Sequence, residues 1–421
     1  MITVVLILAS VFAYHLIADA EWRKILLSAI SMWVYYTFVE WYAMLVPLMA
    51  AITYFTLRWA KATALRYALW VHCSLLVTGL ILLKYGLKDF ILPVGYSIMA
   101  FSSISAVCDG YKNQKSYSFW SILAFISFFP KIMAGPLERI DSMAAQHCSG
   151  FSLTEVYIGI KHLIFGLFGK FVIAANIENA LMFDNGCIDT LASAISYAVM
   201  FYFDFWSYCN ISIGVAALYG IRLTQNFRAP YRAMSFRDFW TRWNITLTSW
   251  LRDYVYIPLG GSKRGRFRNI FNVYVVFAIS ALWHGVSIPF LLWGALHACL
   301  YSIERYTPMT VWKISLSYRI FVFASVCLLW QMFRLDSAAD IAVFARQLAE
   351  WQEVHMSTVC MCIGSLMCLM LLDNDKFQHI MLKYPRRNPG IIAEVVSLSL
   401  MVMCLILTGD YSVSPFIYFS F

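Results

Sequence analysis

The sequence predicts an all-α polytopic membrane protein of about 11–13 membrane helices, with re-entrant or interfacial helices among them. Three observations carry this reading. Hydrophobic residues make up 61% of the 421-residue chain and charged residues 13%, where soluble globular chains hold roughly half and a quarter. Mean hydropathy is +0.68. The apolar residues gather into runs long enough to cross a ~30 Å hydrocarbon core, which takes about 20 helical residues. Those runs lack the period-two alternation of a membrane β-barrel. So few charges cannot dress a soluble surface, which excludes a disordered chain, a nucleic-acid-binding domain and a cytosolic enzyme.

In chain order the apolar runs are 1–18, 25–39, 41–57, 67–83, 90–107, 119–136, 154–175, 191–220, 269–286, 288–303, 318–333, 355–372 and 391–408. Together they read as one membrane-embedded domain, 1–421. The first run has no basic stretch before it and no small-residue cleavage site after it, so it is expected to stay as the first helix. Glu40 lies between the second and third runs and marks a turn. Most of the eleven cysteines, including Cys73, Cys209, Cys327 and Cys404, sit inside apolar runs, where cysteine acts as a small hydrophobe. No CxxC occurs, and Cys360 and Cys362 have no neighbouring ligand set, so neither a metal nor a redox centre is expected.

The net charge of +9 is concentrated. Ten cationic residues lie between 222 and 268: Arg222, Arg228, Arg232, Arg237, Arg242, Arg252, Lys263, Arg264, Arg266 and Arg268. Only Asp238 and Asp253 oppose them. A cytoplasmic loop obeying the positive-inside rule accounts for this. So does a phosphate-binding surface, because guanidinium forks match phosphate oxygens. The two readings are compatible.

The same region is too polar to span. Residues 240–261 carry Trp240, Trp243, Trp250, Tyr254 and Tyr256, which suits a helix in the interface plane or a re-entrant turn. Pro258, Gly260 and Gly261 are expected to end that helix. Pro93 and Gly95 likewise interrupt the run 90–101. Broken helices at membrane depth are tolerated where they line a cavity or are buried in protein, so an interior site is expected.

Ionisable residues inside apolar runs are costly and are functional candidates. His284, His297, Asp204 and Lys131 are of this kind. Lys161 and Lys170 are expected to snorkel to the interface. Asp204 is expected to pair with an arginine or to cap backbone groups, and His297 to pack. His284 and His297 are too far apart for a two-histidine metal site at i, i+4. No GxSxG, P-loop or GxGxxG occurs. The residues by themselves leave a transporter and a membrane enzyme both open.

A set of segments narrows this. They are LPVGYSIMAFSSIS (92–105), FISFFPKIMAGPLERI (125–140), GLFGKFVIAANI (166–177) and YFDFWSYCNISIGVAALYGIRLTQNFRAPY (202–231). SFRDFWTRWNITLTSWLRDYVYIPLGG (235–261), SALWHGVSIPFLLWGALHA (280–298) and SPFIYFSF (414–421) complete the set. In order and spacing they resemble the membrane-bound O-acyltransferases, in the bacterial branch of the alginate and peptidoglycan O-acetylation membrane subunits.

The resemblance implies a bundle around a central tunnel, where a cytoplasmic acyl donor meets a hydroxyl acceptor from the other side. The family's catalytic histidine matches His284, in LWHG. Asn244, in RWN, matches a second active-site position that is histidine in the bacterial branch and asparagine in eukaryotic members. Arg252 and Asp253, with Pro258, Gly260 and Gly261, match the RDYxYIPLGG signature. His297, Asp204, Arg252 and Asp253 are expected to support the site, and Arg242, Lys263 and Arg264 to bind the donor. Cys209 and Asn210 replace the serine and aspartate of the usual YFDFSGYSD pattern.

The implied chemistry is sound. A neutral imidazole can take the proton of an attacking hydroxyl, a contribution of about 10²–10⁴-fold. A side-chain amide can hold the developing oxyanion. The resemblance implies acetyl-CoA as donor substrate, no bound cofactor and no metal. It also implies a separate extracytoplasmic SGNH-type esterase or transferase partner, contact with membrane lipids, and a place in the bacterial plasma membrane. Transfer of D-alanyl from a carrier-protein thioester to teichoic acid is the alternative within the family. A lipid-linked glycan transporter is the alternative from another class.

Overall fold

Apolar runs in a low-dielectric setting satisfy their backbone groups within the segment, and helices are the one-segment solution. Among the described residues, the computed structural model is accordingly helical wherever it forms regular structure. It describes residues 2–63, 66–82, 95–132, 134–147, 150–181, 186–307, 315–351, 354–374 and 391–411. Pro93 and the terminal motif 414–421 lie outside the described residues. Contacts divide the chain into two units, Met1–Leu163 with Ile211–Thr224, and Ile164–Asn210 with Gln225–Phe421.

The first unit begins with α1 (Ile2–Leu16), α2 (Ala20–Val39), α3 (Leu45–Thr63), α4 (Arg66–Ile81), α5 (Tyr96–Lys112) and α6 (Phe119–Ser127). Asp19 caps α2 by accepting from the Trp22 N–H at 2.9 Å. The turn expected at Glu40 is present: its φ is +49°, and a 3-10 turn over Glu40–Met44 leads into α3. Polar side chains bind α3, α4 and α5 together. Ser103 Oγ lies 2.6 Å from Thr53 Oγ1 and 2.9 Å from His72 Nε2. The run 119–136 does not stay one helix. It stops at Phe128, where the Phe129 N–H donates to Ser31 Oγ at 3.2 Å, before the single turn α7 (Phe129–Ile132). A further short helix, α8 (Ile140–Gln146), follows.

Helix α9 (Leu153–Phe168) continues through a π-helical turn, Gly169–Ala174, into α10 (Ala175–Ala180). Its two lysines do not snorkel. Lys161 is fully buried, with its ammonium 5.0 Å from the Tyr157 ring centre. Lys170 donates to Asp204 at 2.6 Å. A buried carboxylate needs a cation, and here a lysine one helix away supplies it in place of the expected arginine.

Asp204 belongs to α11 (Cys187–Leu218), which is followed in the second unit by α12 (Phe236–Arg242), α13 (Ile245–Leu251), α14 (Gly265–His284), α15 (Ile288–Tyr306) and α16 (Leu316–Trp330). Helices α17 (Ala338–Ala349), α18 (Met356–Leu372) and α19 (Ile391–Thr408) complete it. Its centre is aromatic: Trp243 stacks on Phe201 at 5.8 Å and on Phe239 at 5.6 Å, and meets Trp330 at 4.7 Å.

Among the described residues, three helical stretches are long and apolar enough to cross a membrane, Ala20–Ala60, Leu153–Ala180 and Leu316–Phe333. Shorter apolar helices include Val5–Leu16, Tyr67–Ile81, Met356–Leu372 and Glu394–Thr408. The chain is a helical integral membrane protein.

Candidate active site

The polar segment 236–262 builds one wall of a cavity, and its sequence explains its shape. Ser235 caps α12 by accepting from the Asp238 N–H at 3.0 Å. Glu304, buried on α15, accepts from the Phe236 N–H at 2.6 Å and from Tyr318 Oη at 2.8 Å, which pins the start of α12. The helix expected over 240–261 breaks earlier than Pro258. Trp243 is extended, and Asn244 takes the left-handed conformation, φ 42° and ψ 55°. Asparagine is one of the few side chains that visits this region readily.

Asn226 secures the restart. Its carbonyl accepts from the Ile245 N–H at 2.9 Å, and its side-chain oxygen from the Thr246 N–H at 3.2 Å. The Asn244 side chain is therefore not spent on capping, and among the described residues it makes no hydrogen bond.

Helix α13 ends in a π-helical turn, Arg252–Tyr256. The expected break at Pro258, Gly260 and Gly261 follows it. Gly260 and Gly261 have φ +103° and +55°, a turn that L side chains resist. Asn272 of α14 donates to the Gly261 carbonyl at 2.9 Å and holds that turn.

The opposite wall is the hairpin of α14 and α15. Val273, Val276, Phe277, Ser280 and His284 line the cavity from α14. Their spacing is that of one helical face. Trp293, Tyr301 and Arg305 line it from α15 at multiples of four residues. His284 is the last residue of α14. Gly285 follows because a Cβ there would stand 2.5 Å from the Phe290 ring. His284 is buried, edge-on to Trp293 at 5.5 Å and to Phe333 at 4.9 Å. The packed rings set its orientation.

The cavity encloses about 490 Å³. His284 and Asn244, forty residues apart in sequence, both line it. Both are buried, as are Trp243, Trp293 and Trp330 beside them. Arg237, Arg252 and Arg305 line it as well, and all three are exposed. Along α15, Trp293 and Arg305 are twelve residues apart, a rise of about 18 Å. The cavity thus joins an exposed cationic region to a buried region holding an imidazole and an amide.

The other expected residues lie elsewhere. Asp204 is paired with Lys170 and does not line the cavity. Asp253 pairs with Arg252 at 2.8 Å. Arg242 pairs with Asp238 at 2.8 Å and donates to the Arg228 carbonyl, a structural role at the α12 terminus. Lys263 and Arg264 are exposed on the turn, outside the lining. His297 is fully buried behind Trp240, Phe277 and Trp293. Sequence reading overlooked Arg305 and Glu304, and named Arg237 only as one cation among ten. The four-residue repeat Trp293, His297, Tyr301, Arg305 is the signal that identifies the α15 face.

Residues 102–372 match the model of the membrane-bound O-acyltransferase family. The chain is 27% identical over 380 residues to a probable alginate O-acetylase AlgI of Pseudomonas putida, covering 81% of this chain and 78% of that protein. It is 32% identical over 251 residues to a peptidoglycan O-acetyltransferase of Helicobacter pylori, covering 51% of this chain and 48% of that one. It is 26% identical over 226 residues to a teichoic acid D-alanyltransferase of Bacillus subtilis, covering 49% and 57%. For the latter two, the match spans about half the length of the relative. With the family model covering well over half of the sequence, the chain belongs to the membrane-bound O-acyltransferase family.

Proposed function

We propose that this O-acyltransferase transfers an acetyl group from acetyl-CoA to a hydroxyl acceptor, in O-acetylation of an envelope or extracellular polysaccharide. The observation that carries the reading is the convergence of His284 and Asn244 on one cavity whose exposed region holds three arginines. The donor's phosphates meet Arg237 and Arg305, neither of which forms an ion pair among the described residues. Its thioester reaches the buried region about 18 Å further on.

There His284 takes the proton of the acceptor hydroxyl as the oxygen attacks the carbonyl carbon. The Asn244 amide donates to the oxyanion. The C–S bond then breaks, and the imidazolium returns the proton to the departing thiolate, which leaves as coenzyme A.

In this reading the arginine-rich region opens to the cytoplasm of a multi-pass protein in the bacterial plasma membrane. A separate extracytoplasmic partner of the SGNH type places the acetyl group on the glycan. The glycan-transporter alternative loses its support with membership of an acyltransferase family. D-alanyl transfer from a carrier protein is the second reading, favoured by the Bacillus subtilis relative.

The test is acetyl transfer by the purified protein in vesicles. His284→Ala should lower turnover by roughly 10²-fold or more. Wild-type turnover in that variant would end the mechanism. Activity with an aminoacyl carrier protein and none with acetyl-CoA would move the chain to the D-alanyl reading.

A further inference from the structure

His297 sits midway along the inward face of α15, and the reaction above leaves its chemistry unused. Its side chain is fully buried, yet neither Nδ1 nor Nε2 has a hydrogen-bond partner among the described residues. Two indole N–H groups beside it, of Trp240 and Trp293, are likewise without partners. The three rings are in contact, with His297 5.0 Å from Trp240 and 5.2 Å from Trp293, and the two indoles 5.8 Å apart.

Packing does not explain a histidine here. Its ring stacks on Phe277 at 5.9 Å and 8°, a contact that phenylalanine would make equally well. Buried polar groups without partners are destabilising and rare in native structures. The cluster therefore points to a partner arriving through the cavity, which Trp240, Phe277 and Trp293 all line. Trp240 is only half-buried, lines the cavity and lies edge-on to His297 at 81°, so it is the ring that would have to turn for His297 to meet a ligand there.

Position and hydrogen-bonding capacity identify that partner. His297 lies about 6 Å along α15 from Trp293 and about 12 Å from Arg305, between the arginines and His284. A neutral imidazole offers one N–H and one acceptor nitrogen, and the indoles add two N–H donors. A secondary amide is the complement, with one N–H and one carbonyl.

We propose that His297, with the indole N–H groups of Trp240 and Trp293, seats a secondary amide of the acyl donor's phosphopantetheine arm. Coenzyme A and a carrier protein share this chemistry. The inference rests on the acyl-transfer reading. The seat reads the arm and not the acyl group, and it sets the register that brings the thioester to His284.

The experiment measures KM and kcat of the full-length protein in vesicles with three donors. These are acetyl-CoA, an acetylated carrier protein, and an S-acetyl alkanethiol that has no amide. His297→Phe keeps the ring and removes both nitrogens, and His297→Gln restores hydrogen bonding. His297→Phe should raise KM for the amide-bearing donor three- to tenfold, roughly one lost hydrogen bond. Its KM for the alkanethiol ester should stay at the wild-type value, and His297→Gln should recover part of the loss. Whether the effect falls on acetyl-CoA or on the carrier protein tells which of them supplies the arm. An unchanged KM for the amide-bearing donor, or an equal loss on all donors, would overturn the seat. A wild-type protein idle with all three donors would instead overturn the acyl-transfer reading.

Discussion

Replacing Asn244 by glycine, alanine and histidine separates what the backbone needs at that position from what the side chain does. At φ 42° and ψ 55° the residue is left-handed. That conformation costs an ordinary L residue about 1–2 kcal/mol, is free to glycine, and is eased for asparagine and histidine. Asn244→Ala therefore adds strain and removes the amide, whereas Asn244→Gly removes the amide alone. If the amide holds the oxyanion, its loss costs about 10²–10³-fold in turnover, or ~2.7–4 kcal/mol. Both variants should lose turnover to that extent. They should differ in thermal stability in detergent, with alanine the lower. Asn244→His keeps the backbone and returns an N–H donor, so it should retain more turnover than either. The assay is acetyl transfer in reconstituted vesicles beside a melting curve for each variant. Glycine at wild-type turnover would refute the role of the side chain, and would leave only the backbone turn.

Other outcomes follow from the same geometry. Charge reversal at both Arg237 and Arg305 should raise the donor KM at least tenfold at low salt, with the effect fading as salt screens the site. The same change at Lys263 and Arg264, which stand outside the cavity lining, should cost less. Asp204→Asn should destabilise by roughly 3 kcal/mol, because it removes the buried carboxylate charge that faces Lys170, and should leave the donor KM of the folded fraction unchanged. Gly285→Ala should displace Phe290 and lower kcat more than it raises KM, since the ring it moves packs against His284 at 6.1 Å.

Much of this was legible in the sequence, for physical reasons. Helical membrane architecture follows from composition and run length, and the Glu40 turn from a charge between two apolar runs. His284 was a candidate, beside His297, Asp204 and Lys131, as a titratable group in an apolar run, whereas its catalytic role and the choice of Asn244 came only from the resemblance of LWHG and RWN to the family's motifs. Their meeting in one cavity depends on the α14–α15 hairpin facing the α12–α13 break, a tertiary fact that spacing does not contain.

The charged residues were the least legible. Arg242 and Lys170 each found a carboxylate nearby, and a sequence does not say which cation is already neutralised. Arg305 was hidden at the end of an apolar helix, where it resembles an ordinary interfacial charge. The left-handed Asn244 broke the helix before Pro258, because an asparagine can end a helix without glycine or proline.

The most direct test of the account is a structure of the protein with a stable thioether analogue of acetyl-CoA. The account predicts the phosphates against Arg237 and Arg305, and the acyl carbonyl oxygen within hydrogen-bond reach of the Asn244 amide. It also places the carbonyl carbon beside His284. An analogue bound along the turn that carries Lys263 and Arg264, with its carbonyl remote from His284, would contradict it.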